Sequence, residues 1–155
     1  KITRRIIRSI IWDMKEALAT ETLGVAIAAP QIGESLRMFV VCGKVFQLKN
    51  GEGAPSEPDR TYINPEILKT SRKKRRMHEG CLSVRSDDPE RMVWGTVERA
   101  EKIKIRAYDE NGKQTEHSAS GFLSQIFQHE IDHLEGILYT SKAISVHEEP
   151  IKRNE

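Results

Sequence analysis

Long apolar runs, paired cysteines and an excess of either charge are all missing from these 155 residues. Crossing a bilayer as a helix takes about 18 consecutive apolar residues, so the missing run predicts a soluble chain with no membrane partner. Only Cys42 and Cys81 carry thiols, and they are far apart in sequence. That usage excludes a disulfide scaffold and fits a reducing compartment, where thiols serve as ligands or nucleophiles. A net charge of +2 with 31% charged residues gives no general attraction to nucleic acid, which leaves small molecules and peptides as substrates. The opening KITRRIIRSIIW is basic like a targeting segment, but Asp13, Lys15 and Glu16 follow directly, as in a folded helix. The length suits one core, and no shift in composition marks a boundary, so residues 1–155 are read as a single domain.

Apolar spacing organises the chain. Ile2, Ile6, Ile7, Ile10, Ile11, Met14 and Leu18 recur every three or four residues, which predicts an amphipathic first helix. LGVAIAAPQIG is apolar, rich in small residues and closed by Pro30 and Gly33, as an extended segment would be. RMFVVCG reads as a buried strand with Cys42 as a small core residue, and Asn50 to Asp59 as a hairpin tip or inserted loop. TYINPEIL and MVWGTVERAEKIKIRAYD contain strands; Ile103, Ile105 and Ala107 alternate with Lys104, Arg106 and Tyr108 before the turn DENG. GFLSQIFQHEIDHLEG is a late helix with Ser118 or Ser120 as cap and Gly136 as stop. Hairpin-like strands with an early and a late helix predict an α+β fold, its antiparallel sheets packed around the late helix.

That late helix carries the chemistry. Phe122, Ile126, His129, His133 and Ile137 follow one another at spacings of four, three, four and four, so both imidazoles belong to the apolar, inward stripe. Two buried histidines need partners, and histidines four apart on one helix face offer two nitrogens to one ion. The intervening Glu130 then stands beside the ion's open position as a general base toward bound water. Chance occurrence of His-Glu-x-x-His on a solvated helix is the plain alternative.

A third ligand separates the possible activities. In metal peptidases of the metzincin type the pattern continues to a third histidine, and this chain follows it through Gly136 but has Tyr139 at that position. A thermolysin-like pattern would draw on Glu148 or Glu149, in a tail, EEPIKRNE, that reads as poorly ordered. Cys81 in HEGCLSV is the other candidate: Gly80 permits close backbone approach, and a thiolate with two imidazoles leaves one position open for catalysis.

Three stretches in order, GVAIAAPQ (Gly24 to Gln31), EGCLS (Glu79 to Ser83) and QHEIDH (Gln128 to His133), resemble peptide deformylase across nearly the whole chain. IIWDMKEAL, YINPEI and VERAEKIKIRAYDENGK add to the likeness. The resemblance implies hydrolysis of the N-formyl group from the formyl-methionine start of new peptides, with release of formate. It implies Cys81, His129 and His133 as metal ligands, Glu130 as general acid and base, and Gln31 with the Leu82 backbone N–H as oxyanion donors. The metal it implies is ferrous iron, with zinc, nickel or cobalt as substitutes. By family position Gly24, Val25, Ala26, Met77, Glu79, Gly80, Phe122 and Ile126 would contact substrate, and Asp132 could support a histidine or face solvent.

Departures from that pattern are specific. Ala26 replaces a glycine and adds a methyl beside the substrate path; Arg85 to Gly95 is longer and more charged than the family's segment, which predicts a reshaped rim. RKKRR, Arg72 to Arg76, is basic, and is either a solvated segment or a contact with ribosomal RNA. The first helix starts later than the family's, as if an N-terminal segment were missing. A cytoplasmic site is expected, with an organelle or a phage copy as alternatives. A metal endopeptidase and a catalytically degenerate deformylase-like binding protein are the rival activities.

Overall fold

The computed structural model describes residues 3–21 and 23–152. Helix α1 runs Arg4–Ala19, and the Thr3 side chain accepts a hydrogen bond from the Ile6 N–H at its start. Ile10, Ile11, Met14 and Leu18 form its buried stripe, as the spacing predicts; Ile2 lies outside the described residues.

The extended segment resolves into a short strand, β1 (Ala26–Ala28), and one turn of 3-10 helix (Ala29–Ile32). Strand β2 (Met38–Val41) pairs with β1, and together they show why these segments are apolar without alternation. Ala26, Ala28, Phe39 and Val41 face one core, while Ile27, Met38 and Val40 face α1 on the other side. Strands buried on both faces have no polar side to display.

Helix α2 (Gly43–Asn50) was not legible in the sequence, and it revises two readings. Cys42 is the cap residue of α2 rather than a strand residue. The 50–59 loop joins α2 to a strand and is no hairpin tip. Gly43 has no room for a side chain: a Cβ would stand 1.8 Å from the Glu57 carbonyl oxygen.

Strands β3 (Arg60–Thr70), β6 (Lys102–Tyr108) and β7 (Gln114–Ser120) complete a five-stranded antiparallel sheet in the order β1-β2-β3-β6-β7. Pro65 cannot donate to a ladder, and the β3–β6 register shifts between Ile63 and Glu66, where Asn64 takes a left-handed φ of 49°. Strands β4 (Lys74–Glu79), β5 (Arg91–Ala100) and β8 (Ala143–Pro150) form a second, three-stranded sheet. The 148–150 segment is therefore ordered, because β5 offers it a free edge to pair with.

Helix α3 (Gly121–Leu134) packs against β1 and β2 of the first sheet and β5 of the second. Phe39, Tyr62, Ile105 and Phe127 fill the space beneath it. Ser120 occupies its cap position without a side-chain bond, and Ser118 lies in β7. The architecture is α+β, as expected, and no described helix is long and apolar enough to cross a membrane.

Candidate active site

Packing α3 between the two sheets buries His129, Glu130 and His133. The inward stripe is narrower than its spacing suggests: Phe122 is 51% exposed, and Ile137 falls beyond the helix end at Leu134. Two polar clamps fix the helix. Gln128 accepts from the Ala100 N–H and donates to the Ala100 carbonyl, and Ser124 donates to that same carbonyl. Gln125 donates to the carbonyl of His78 and ties α3 to β4.

β4 ends at Glu79, and the next turn delivers Cys81 to the helix. Cys81 Sγ lies 3.0 Å from His133 Nε2, and ligand atoms of Cys81, His129 and His133 all fall within 4.8 Å of one another. Glu79 Oε1 sits 2.7 Å from His129 Nδ1, which orients the ring and leaves Nε2 for the cluster. Arg99 on β5 grips Glu79 with two 2.8 Å bonds, from Nε and from one terminal nitrogen. Its other terminal nitrogen donates to Asp132 at 2.6 Å, and Lys142 also bonds Asp132. Asp132 thus supports His129 through Arg99 and Glu79 rather than facing solvent.

Electrostatics follow from this packing. Burial opposes charge on Cys81, yet hydrogen bonds from His129 and His133 hold the thiol down at about 5. Burial likewise opposes charge on Glu79, and the bonds from Arg99 and His129 overcome it, lowering the carboxyl to about 2. Burial disfavours the imidazolium of His129, but Cys81 and Glu79 hold its proton to about 10. The cluster's anions therefore call for positive charge at this spot. Glu130 differs: burial raises its carboxyl to about 7 against the pull of His129 and His133, and its Oε2 is buried with no hydrogen-bond partner.

A thiolate, two imidazoles and an orphaned carboxylate oxygen fit one divalent ion with a water beside it. Tyr139, at the position where a third histidine would stand, packs behind the cluster and is not one of its ligand side chains. Its ring stacks on His129 at a centroid distance of 6.0 Å, and its hydroxyl donates to the Val93 carbonyl. Gly95 makes room for that ring, since a Cβ there would meet Tyr139 Cε2 at 2.8 Å.

Beside the cluster lies a cavity of about 270 Å³. Gly24, Val25, Ala26, Glu79, Gly80, Phe122 and Ile126 line it, as do Gln31 and Leu82. Met77 does not, although it shares a face of β4 with Glu79 two residues on; the cavity meets this strand only at its last two residues, His78 and Glu79. Gln31 is held at both ends: its Oε1 accepts from the Ala28 N–H, and its Nε2 donates to Ser83 while lying 3.9 Å from Cys81 Sγ. Space at Gly24 is tight, a Cβ there standing 3.1 Å from the Leu18 side chain and 3.3 Å from that of Leu82.

Several residues of this site escaped the sequence reading. His78, Met92 and Trp94 line the cavity, and Arg99 anchors the Glu79 carboxylate behind His129. Arg99 alone left a signal, since Val93, Gly95, Val97 and Arg99 share the inward face of β5 at a period of two. The 85–95 segment is divided: Met92 and Trp94 line the cavity, whereas Arg85 to Pro89 line an adjoining depression that shares Cys81, Leu82 and Met92 with it.

Among known proteins, the sequence profile of the polypeptide deformylase family matches residues 1–149. A peptide deformylase from Halothermothrix orenii is 40% identical over 151 residues, covering 97% of this chain and 86% of that relative. One from Desulforudis audaxviator is 40% identical over 124 residues, covering 80% of this chain and 70% of the relative. Solved structures agree. A probable peptide deformylase from Synechococcus phage S-SSM7 superposes with a TM-score of 0.75 at 30% identity, covering 92% of this chain and 86% of that one. Plasmodium falciparum peptide deformylase, solved with an inhibitor, superposes with a TM-score of 0.72 at 30% identity, covering 94% and 79%. With its motifs gathered around one cavity and a profile matched to residue 149, the chain belongs to the polypeptide deformylase family of enzymes.

Proposed function

We propose that this chain, as one catalytic unit over residues 1–155, removes the N-formyl group from formyl-methionyl nascent peptides and releases formate. Family membership supports the deformylation of nascent peptides; the roles of individual residues are our reading. The single observation that carries it is the buried, partnerless Glu130 Oε2 beside Cys81, His129 and His133. Those three side chains would hold one divalent ion, ferrous iron first and zinc, nickel or cobalt as alternatives, since thiolate with imidazole suits all four. When bound, that ion supplies Lewis-acid charge for activating water and for the oxyanion of the tetrahedral intermediate.

Glu130 takes the proton from the attacking water and passes it to the departing amine, and a carboxyl raised to about 7 is matched to both transfers. Gln31 is pre-oriented by Ala28, so its amide keeps an N–H for the oxyanion beyond the one given to Ser83. The Leu82 backbone N–H is the second donor. Val25, Ala26, Phe122 and Ile126 provide the apolar wall for the methionine side chain, with the Ala26 methyl narrowing it.

Formate release from a formyl-Met peptide by anaerobically prepared protein tests the reading. Activity is expected with one ion per chain, lost on chelation, restored by ferrous iron or nickel, and absent from Cys81→Ala. Full activity in the stripped protein would overturn it. Cleavage of internal peptide bonds without formate would favour the endopeptidase reading instead.

A cytoplasmic site and a ribosome contact through Arg72 to Arg76 are part of the same proposal. Lys74 to Arg76 are exposed on β4, although Lys73 and Arg75 share Glu101 and Arg76 approaches Glu98. Alanine substitution of all five is expected to reduce co-sedimentation with ribosomes; unchanged co-sedimentation, or none in the parent, would remove the contact from the proposal.

A further inference from the structure

The outer face of the three-stranded sheet carries a second group of metal-ligating side chains, separate from Cys81, His129 and His133. His78 stands on β4, and His147 and Glu149 stand two apart on β8. Register brings them together across β5: His78 is opposite Thr96, His147 opposite Trp94 and Glu149 opposite Met92. Paired residues and their neighbours two positions along share a face, so all three side chains project from the same side.

They also lean toward one another. The His78 ring stacks on Trp94 at 4.7 Å and 25°, and its centroid lies 5.3 Å from that of His147. His147 Nε2 is 2.9 Å from Glu149 Oε1. One ligand atom from each of the three falls within 4.8 Å of the others. Two imidazoles and a carboxylate suit zinc, nickel or copper rather than magnesium or calcium, which prefer all-oxygen sets.

We propose that His78, His147 and Glu149 form a second divalent-cation site, of the zinc and nickel type, on the rim of the catalytic cavity. Its donors come from two strands hydrogen-bonded to the same third strand, so the backbone fixes their spacing, and Trp94 limits the tilt of one imidazole. His78 and Trp94 also line the catalytic cavity, whose inner end holds His129 and Glu130. An ion at the rim would hold His78 over Trp94 and restrict the mouth through which a peptide enters, so a second equivalent of metal should raise KM while leaving kcat in place.

Nickel alone is a sufficient probe. In a Trp12→Phe background, Trp94 is the remaining tryptophan. Two nickel ions per chain are expected by equilibrium dialysis, the second quenching Trp94 emission. His147→Ala, an exposed substitution outside the cavity, should bind one ion, lose the second quenching phase and keep its one-nickel deformylase activity. Glu149→Gln should weaken the second phase in the same way. Equal nickel stoichiometry and unchanged quenching in His147→Ala and the parent would overturn the proposal, whereas a single ion in the parent that His147→Ala loses would keep this site and remove the catalytic one. Because the readouts are stoichiometry and Trp94 emission, this result is independent of whether the catalytic reading stands.

Discussion

Glu130→Gln is expected to lower kcat/KM for formate release by about 10²–10⁴-fold, the usual worth of a positioned general acid and base. The substitution keeps the side chain's size and removes only its ability to carry the proton. Glu130 is buried, its Oε2 is without a hydrogen-bond partner, and its carboxyl sits at about 7. Nothing in that set contributes to folding, so the variant should bind metal at parental stoichiometry and unfold at or above the parental temperature. An uncharged amide removes the cost of burying a charge. Metal content by mass analysis and Tm by calorimetry accompany the kinetics. Retained activity with full metal would end the assignment of Glu130, whereas lost metal would make it a structural residue.

Arg99→Leu should be the most destabilising single change near the site, by about 3–5 kcal/mol, because it strips the buried Glu79 charge of its guanidinium and leaves it to His129 alone. Both side chains of the pair are 3% exposed, so solvent screens them little. For a chain of this size that loss lowers Tm by roughly 10 °C. The effect should reach the metal as well. Glu79 orients His129 through its Nδ1, and loss of such a supporting carboxylate typically costs about 10–100-fold in metal affinity. Adding Glu79→Gln to Arg99→Leu removes the stranded charge and should recover part of the Tm but none of the metal affinity. If the double variant recovered both, the route from Arg99 through Glu79 to His129 would be wrong.

The Glu79 carboxyl gives this network a pH signature. Its folded value, about 2, lies below the ordinary 4.5, so its contribution to stability is present above the ordinary value and is lost as pH falls toward about 2. The Arg99→Leu variant should lack that acid-dependent part of the parental stability curve.

How much of this was legible in the sequence depended on the range of the interaction involved. The α1 stripe, the alternation in β6 and the His129–His133 spacing are local periodicities, and the structure keeps all three. Helix α2 was missed because GKVFQLKN is short, with weak segregation of apolar residues; its ends are set by packing and by Asp59 accepting from the Gly43 N–H. The 148–150 tail was misread because its order comes from pairing with β5, more than fifty residues earlier, and a charged strand has no apolar signal of its own.

The site divides along the same line. Spacing alone placed two imidazoles and Glu130 on one helix, and the chemistry of a thiolate singled out Cys81 as a candidate partner. Only the tertiary structure brought Cys81 within 3.0 Å of His133, set Arg99 behind Glu79 and left Met77 outside the cavity. A helix fixes its own neighbours through its repeat, so ligands on α3 follow from sequence. Distances across separate strands and sheets depend on packing that no local spacing records, and there the sequence named candidates while the fold chose among them.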